Sequence, residues 1–222
     1  MNVNTLKAVY FIGAGGIGMS ALVRYFLSKG KKVGGYDRTP SELTETLIKE
    51  GAAIHYEENV SLIPDDFLNP ETTLIVYTPA IPADHKELNY FREHGFEIQK
   101  TCSSIGYAYT YRKRTLCSGY PWKDKQHSTM TAYLLDHSHV GCNAFLGGIS
   151  KNYHTNLLLS DKSDFVVIEA DEFDRSFHWL TPYATVITAT DSDHLDIYGT
   201  HEAYVESFQK YTSLIQPEGS LS

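Results

Sequence analysis

Lys7-Ala8-Val9-Tyr10-Phe11-Ile12-Gly13-Ala14-Gly15-Gly16-Ile17-Gly18 is the stretch that decides the fold of this chain. Its first half, residues 7–12, is a short apolar run rich in strand-forming side chains that ends at a glycine. Apolar residues then recur at helical spacing over residues 20–28, and residues 32–36 are predicted to form a second strand that ends at Asp37. The order of strand, glycine turn, helix and strand predicts the βαβ start of a doubly wound α/β fold.

The glycine turn has the spacing of a nucleotide-binding fingerprint. Gly13, Gly15 and Gly18 fit the pattern G-x-G-x-x-G, and Asp37 follows about twenty residues later. Glycines let the backbone approach a phosphate closely, and the N-terminus of the next helix favours negative charge. A glycine turn that only packs helix on strand is the alternative, but the complete pattern favours nucleotide binding. Taken alone, the fingerprint favours NAD.

Further elements of the same kind fill the first hundred residues. The pattern predicts helices at Glu42–Glu50 and Glu87–Glu93 and strands at Thr73–Tyr77 and Phe96–Ile98. The stiff, proline-containing loop Thr78–Pro82 follows a strand, and ligands of α/β folds bind at the C-terminal ends of strands. Ligand contact by this loop and simple chain reversal are nearly equal alternatives.

Composition limits the classes of function. The chain has 222 residues, of which 42% are hydrophobic, enough for one large or two modest domains. A formal net charge of −8 argues against nucleic acid and anionic membrane surfaces as partners. No apolar run approaches the ~20 residues of a membrane span, and no secretory signal pattern begins the chain. Cys102, Cys117 and Cys142 lack metal-ligand spacing and cannot all pair, so we expect a cytoplasmic protein.

Acidic residues follow two further predicted strands. Residues 165–168 lead into Glu169-Ala170-Asp171-Glu172, and residues 184–189 lead into Asp191-Ser192-Asp193-His194. A phosphoryl-transfer site needs carboxylate or imidazole ligands for the Mg²⁺ that bridges nucleotide phosphates. Either cluster alone is typical of solvated turns, whereas both together, downstream of a candidate phosphate loop, favour metal binding. Parallel strands end at one edge of a sheet, so we expect the two clusters to meet there.

The phosphate loop itself departs from the expected pattern. Thr101–His127 has neither helical nor strand periodicity, and Gly119-Tyr120-Pro121-Trp122-Lys123-Asp124 stands where the loop belongs. These residues are encoded GGN-TAY-CCN-TGG-AAR-GAY. Read one nucleotide later, the same bases permit Gly-Thr-His-Gly-Lys-Thr, whose N–H groups, lysine and hydroxyl would hold phosphates and Mg²⁺. We interpret residues 101–127 as an aberrant segment produced by a frameshift, a sequencing error or a mutation, and a helical pattern resumes at Ser128.

Together these motifs resemble those of the Mur ligases of peptidoglycan synthesis. The matching residues are Phe11–Ser20, Gly147-Gly148, Glu169–Glu172 and Asp193–Asp196. The resemblance covers nearly the whole chain outside residues 101–127. It implies an α/β protein with a Rossmann-like UDP-sugar-binding domain at residues 1–99. It further implies a partial P-loop-type ATP-binding central domain at residues 100–222, with the family's C-terminal domain absent.

The resemblance also implies site residues and a reaction. Glu172 and His194 correspond to metal ligands, and Lys123 stands at the place of the family's catalytic lysine in an altered context. The implied substrate-binding residues are Gly13, Gly15, Gly16, Ile17, Gly18, Asp37 and Thr78. The implied activity, with ATP and Mg²⁺ as cofactors, is ligation of L-alanine to UDP-N-acetylmuramate through an acyl phosphate.

Two other classes of function remain as alternatives. One is a UDP-sugar-binding module without catalysis, because the phosphate loop is altered; for the same reason we expect this chain to lack ligase activity. The other is an NAD-dependent oxidoreductase, which the glycine fingerprint alone permits. Ala189 departs from the resemblance, since many Mur ligases carry Asn at this position.

Overall fold

The computed structural model describes residues 5–101, 104, 114–119, 125–170, 172–191 and 194–222. The chain divides into two compact units, Met1–Ser104 and Ile105–Ser222. The domain boundary predicted between residues 99 and 100 lies a few residues before the end of the first unit. Both units are mixed α/β structures, as the sequence predicted. Within the described parts of both, no helix is long and apolar enough to cross a bilayer.

In the first unit, strands and helices alternate along the chain. The strands are β1 (Ala8–Ile12), β2 (Lys32–Tyr36), β3 (Ala53–His55), β4 (Thr73–Tyr77) and β5 (Glu97–Lys100), the helices are α1 (Ile17–Ser28), α2 (Glu42–Lys49) and α3 (Lys86–Glu93), and short 3₁₀ helices span Val60–Leu62 and Asp65–Phe67. Among the described residues the strands form one parallel sheet in the order β3-β2-β1-β4-β5. The order reverses between β1 and β4, which is where ligands bind in such sheets.

Strand β1 lies at the centre of this sheet and is covered on both faces. All of its residues are buried, as expected for a continuous apolar run in a parallel sheet. On one face Tyr10 packs against Phe67 and Phe91, with ring centroids 5.4 Å and 5.2 Å away. On the other face Phe11 lies against Phe26 of α1. This burial fixes the end of β1, and therefore the glycine turn that follows it.

The second unit is built around another mainly parallel sheet. Its strands are β6 (Arg114–Gly119), β7 (Asn143–Phe145), β8 (Leu157–Leu158), β9 (Phe165–Ala170), β10 (Ala184–Ile187) and β11 (Ser220–Leu221), its helices are α4 (Lys125–Asp136), α5 (Leu195–Tyr198) and α6 (His201–Thr212), and a 3₁₀ helix spans Phe173–Trp179. In the described residues the sheet order is β11-β10-β6-β9-β7-β8. The β7–β8 pair is antiparallel, and the other pairs are parallel.

Strand β6 corrects the interpretation of residues 101–127 as a segment without strand structure. It pairs in parallel with β9 on one side and with β10 on the other. Its residues Thr115 and Cys117 are buried, and the Arg114 guanidinium lies 5.0 Å from the centre of the Tyr183 ring. Pairing on both sides thus overrides a weak local pattern. β6 therefore occupies the position between β9 and β10 in the sheet.

Candidate functional site

The glycine turn follows β1 at the point where the sheet order reverses. Gly13 has a φ of +89°, in the left-handed region that favours glycine. A Cβ atom on Gly13 would lie 2.5 Å from Cγ2 of Thr78, so glycine is what allows Thr78 to pack on the turn. A Cβ atom on Gly15 would lie 2.7 Å from Cγ2 of Thr44 and 2.9 Å from Oδ2 of Asp37. The fold itself therefore requires glycine at both positions.

Asp37 holds the turn from the end of β2. Its Oδ2 accepts a hydrogen bond from the Gly15 N–H at 2.7 Å, and its Oδ1 accepts one from the Thr39 N–H at 3.1 Å. The N–H groups of Gly13 and Ala14 donate to the Tyr36 carbonyl at 2.8 Å and 3.0 Å. Asp37 thus contacts the turn backbone in this structure, and its contact with a substrate stays a prediction.

The end of the turn presents the N-terminus of α1. Gly16 is the N-cap residue, with φ −62° and ψ 142°, and the first helical turn, Ile17-Gly18-Met19-Ser20, is uncharged. The first N–H groups of a helix have no acceptor within the helix, and the helix dipole adds positive potential there. Gly16 is exposed, and a Cβ atom on it would come no closer than 3.5 Å to a neighbouring atom. This geometry suits a phosphate or pyrophosphate group.

Tyr10 of β1 belongs to a polar cluster that it forms with Glu87, His55 and Asn59. The Tyr10 hydroxyl donates to Oε2 of Glu87 at 2.7 Å and hydrogen-bonds Nε2 of His55 at 2.6 Å. Oε1 of Glu87 accepts a hydrogen bond from the Asn59 N–H at 3.1 Å. Burial raises the pKa of the Glu87 carboxyl and of the Tyr10 hydroxyl. This cluster was not predicted from the sequence, because its members are far apart in the chain and carry no motif.

His85 joins the same region from the start of α3. It is the N-cap residue, and its Nδ1 accepts a hydrogen bond from the Leu88 N–H at 3.3 Å. The ring is 3% exposed and packs at 4.8 Å from the Tyr36 ring. Burial is the main cause that lowers the pKa of His85 below its ordinary value. His85 thus joins α3 to the end of β2, next to Asp37.

Glu172 and His194 lie together at the C-terminal edge of the second sheet. Glu172 follows β9, His194 follows β10, and β6 lies between these two strands. Oε1 of Glu172 is 3.5 Å from Nε2 of His194, and the two side chains are 5% and 31% exposed. The ring of Phe173 meets the His194 ring edge-on at 5.1 Å. The proximity expected from parallel strands is confirmed, while their role as metal ligands stays a prediction.

The backbone around this pair is strained. Among the described residues, Arg175 and His194 are two of the three non-glycine residues with positive φ, at 56° and 51°. Such conformations are uncommon outside glycine and concentrate at functional sites. The His194 carbonyl accepts hydrogen bonds from the N–H groups of Ile197 and Tyr198, at 2.9 Å and 3.0 Å. Hydrogen bonds from the first turn of α5 therefore stabilise the strained backbone conformation of His194.

The pair fits a Mg²⁺ ion that also binds phosphates and water. Mg²⁺ takes ligands at about 2.0–2.1 Å in an octahedron, so adjacent ligand atoms lie about 3 Å apart, and one or two protein side chains are usual. The 3.5 Å between Glu172 and His194 is close to that spacing. In the described part of the chain, no group of three or more His, Cys, Asp or Glu side chains would enclose an ion. Asp171, Asp193 and Lys123 lie outside the described residues.

Gly147 lies against Glu169 of β9, the strand that precedes Glu172. A Cβ atom on Gly147 would overlap the carboxylate of Glu169, which lies directly against the glycine. In the sequence, Gly147 is marked only by its place in the family motif. The structure supplies a steric reason for glycine at this position, next to the end of β9.

Comparisons with known proteins agree with this arrangement. A family model described as "Mur ligase family, catalytic domain" matches residues 8–106. The UDP-N-acetylmuramate–L-alanine ligase of Phocaeicola vulgatus is 73% identical over 221 residues, covering 100% of this chain and 48% of the relative. The ligase of the same name from Parabacteroides distasonis is 64% identical over 221 residues, again covering 100% of this chain and 48% of the relative. The chain thus spans about half the length of the curated relatives it matches.

Solved structures show the same likeness. A UDP-N-acetylmuramate-alanine ligase from Thermotoga maritima superposes with a TM-score of 0.83 and 27% identity, covering 96% of this chain and 48% of that chain. A UDP-N-acetylmuramate:L-alanyl-gamma-D-glutamyl-meso-diaminopimelate ligase from Neisseria meningitides superposes with a TM-score of 0.87 and 19% identity, covering 97% of this chain and 70% of that chain. The second likeness supports the fold alone.

Proposed function

The chain belongs to the Mur ligase family, and we propose that it functions in joining L-alanine to UDP-N-acetylmuramate in peptidoglycan precursor synthesis. ATP and Mg²⁺ are the cofactors that this reaction requires. The observation that carries the proposal is the meeting of Glu172 and His194 at the strand ends that flank β6. The phosphate loop of such a domain would follow β6, the strand that lies between β9 and β10 in the sheet order.

The first unit supplies the sugar-nucleotide site in this proposal. The N-terminus of α1 would receive the pyrophosphate of UDP-N-acetylmuramate, because Gly16 leaves the backbone accessible and the first-turn N–H groups point outward along the helix axis. Thr78 lies beside Gly13 at the end of β4 and would line the same site. Asp37 would act by holding the turn in shape, through its contact with Gly15.

The second unit supplies the phosphoryl-transfer site. Glu172 would offer a carboxylate oxygen and His194 an imidazole nitrogen to Mg²⁺, which neutralises charge on the phosphates when bound. Burial of Glu172 excludes water from one side of this position. The carboxylate of UDP-N-acetylmuramate would take the γ-phosphoryl group of ATP, with ADP as the leaving group. The alanine amine would then attack the acyl phosphate and release inorganic phosphate.

The proposal is tested by phosphate release from a protein of the relatives' full length in which Gly-Thr-His-Gly-Lys-Thr replaces residues 119–124. We expect release that requires ATP, UDP-N-acetylmuramate and L-alanine together. Glu172→Gln and His194→Ala should each lower kcat by roughly a hundredfold or more, since each removes a group that stabilises transferring charge. Release that continues without L-alanine, or variants with full activity, would contradict the proposal.

For the 222-residue chain by itself, a binding module without catalysis is the second candidate. In the sequence Gly119-Tyr120-Pro121-Trp122-Lys123-Asp124, tryptophan precedes the lysine and aspartate follows it, where a phosphate loop uses Gly and Ser or Thr. The UDP-sugar site, in contrast, lies wholly within the first unit. The chain would then bind the sugar nucleotide and release no phosphate.

A further inference from the structure

We propose that Tyr198 is a positioning residue that holds Glu172 and His194 together. The inference rests on the proposed function, because it takes these two side chains as the metal ligands. It adds a residue that no sequence motif identified and that touches neither an ion nor a substrate. Tyr198 acts through the backbones of the two residues that do.

Tyr198 bonds to both candidate ligands at once. Its hydroxyl donates a hydrogen bond to the Glu172 carbonyl at 2.5 Å. Its own N–H donates to the His194 carbonyl at 3.0 Å. The first contact reaches from α5 to Glu172 after β9, and the second closes the turn that begins at His194. One residue therefore bonds to both Glu172 and His194, which follow two strands that β6 separates in the sheet.

The ring of Tyr198 is fixed by its surroundings. It is 5% exposed and meets the Tyr204 ring edge-on at 4.8 Å. The Arg175 guanidinium lies 4.7 Å from its centre, and the Arg175 N–H donates to the Glu172 carbonyl at 3.0 Å. The Glu172 carbonyl thus accepts hydrogen bonds from Tyr198 and from Arg175, whose backbone is itself in the left-handed region. A rigid hydroxyl donor at this place orients the Glu172 backbone.

These contacts matter because the backbone hydrogen bonds of α5 alone give His194 little stability. Helix α5 has only four residues, and helices so short gain little stability from their own hydrogen bonds. His194 has positive φ, which costs free energy that neighbouring contacts must offset. Groups that orient metal ligands from behind typically change metal affinity by 10–100-fold when removed. Loss of the Tyr198 hydroxyl should therefore loosen the pair without unfolding the unit.

The test compares Tyr198→Phe with a matched control in the 222-residue chain. Tyr211→Phe is the control, because it also removes a buried tyrosine hydroxyl with an internal partner, Thr185 at 2.9 Å, and touches neither ligand. Mn²⁺ is the metal probe, since it binds the same oxygen and nitrogen ligands and its free concentration is read by electron paramagnetic resonance. Glu172→Gln sets the baseline for binding elsewhere. In metal-free samples, NMR contacts between the Phe173 and His194 rings report the geometry of the pair.

We expect Tyr198→Phe to weaken Mn²⁺ binding about tenfold toward the Glu172→Gln baseline and to reduce the ring contacts, while Tyr211→Phe leaves both unchanged. Unchanged ring contacts in Tyr198→Phe would overturn the inference. Equal loss in both tyrosine variants would overturn it as well, because the effect would then follow from general destabilisation. If the original chain binds Mn²⁺ no better than Glu172→Gln, the metal assignment fails. The ring contacts then still decide whether Tyr198 positions the pair.

Discussion

The carboxylate of Asp37 accepts a hydrogen bond from the backbone N–H of Gly15, with 2.7 Å between oxygen and nitrogen. The acid at the end of the second strand therefore stabilises the glycine turn at the end of the first. In the dinucleotide-binding pattern, an acid about twenty residues after the glycines contacts a ribose hydroxyl. Here the acid at that position, Asp37, bonds to the backbone of the turn. The contact therefore gives no support to the oxidoreductase alternative.

Replacing Asp37 tests this contact. We expect Asp37→Asn to lower the free energy of unfolding of the first unit by about 1 kcal/mol, because a charge-assisted hydrogen bond becomes a neutral one. Native-state hydrogen exchange of the β1 amides measures this change. Asp66→Asn is the control, since it removes an exposed ion pair with Lys32, and such pairs contribute little. Equal protection in the Asp37 and Asp66 variants would show that the contact does not stabilise the turn.

The two glycines Gly15 and Gly16 should respond differently to substitution. Gly15→Ala should destabilise the first unit, because its methyl group meets Thr44 and Asp37 at less than 3 Å. Gly16→Ala should leave folding unchanged, because its nearest neighbours are 3.5 Å away and its backbone angles suit any residue. Gly16→Val should nevertheless weaken UDP-N-acetylmuramate binding, because the side chain would stand where the pyrophosphate approaches. The affinity is measured by calorimetric titration with UDP-N-acetylmuramate. A folded Gly16→Val variant that binds this ligand as tightly as the original chain would argue against the site.

His85 predicts an acid-sensitive contribution to stability. Burial lowers the pKa of His85 from its ordinary value of 6.5, so the unfolded chain binds this proton more readily than the folded one. The contribution is therefore complete above pH 6.5 and falls as pH drops below it. His85→Asn keeps an N-cap for α3 and removes the titrating ring.

The measurement is urea unfolding at pH 7.5 and pH 5 for the original chain and His85→Asn, followed by NMR signals of the first unit. We expect the original chain to lose more stability than the variant between these pH values. The other groups near His85 are the same in both proteins, so their effects largely cancel. A stability difference that is the same at both pH values would contradict the prediction.

The frameshift interpretation of the aberrant segment, residues 101–127, predicts both the encoding DNA sequence and the effect of repairing the loop on activity. Sequencing across codons 99–130 should show bases that encode Gly-Thr-His-Gly-Lys-Thr in the neighbouring frame. In a protein of the relatives' full length, restoring that loop should restore phosphate release, because the loop supplies N–H donors, a lysine and a hydroxyl to the phosphates. The chain with its altered segment intact should release none. A DNA sequence that cannot encode the loop in that frame, or activity with the altered segment in place, would rule out the frameshift interpretation.

The sequence predicted those strands and helices that are long enough to show a pattern of apolar residues. Strands β1 and β4 were expected because they are mainly apolar runs, and a parallel sheet buries such runs on both faces. Helix α1 was expected from its apolar spacing, although it begins at Ile17, three residues before the predicted start, because Gly16 caps it. Strands β3 and β8 have three and two residues, too few for a period to appear.

The site was predictable where motif and topology agree. Glu172 and His194 could be placed at one edge because both follow strands that run in parallel. The supporting contacts of Tyr198, Gly147 and Asp37 depend on distances between loops that no local pattern encodes. Strand β6 was missed for a related reason, since its residues alternate weakly and its neighbours in the sheet define it.

The most direct test of the proposed sugar-nucleotide site is a calorimetric titration of this chain with UDP-N-acetylmuramate and, separately, with NAD. We predict saturable binding of UDP-N-acetylmuramate at one site, tighter than binding of NAD, and loss of that binding in Gly16→Val. Tighter binding of NAD, or no binding of UDP-N-acetylmuramate to the folded chain, would contradict this assignment.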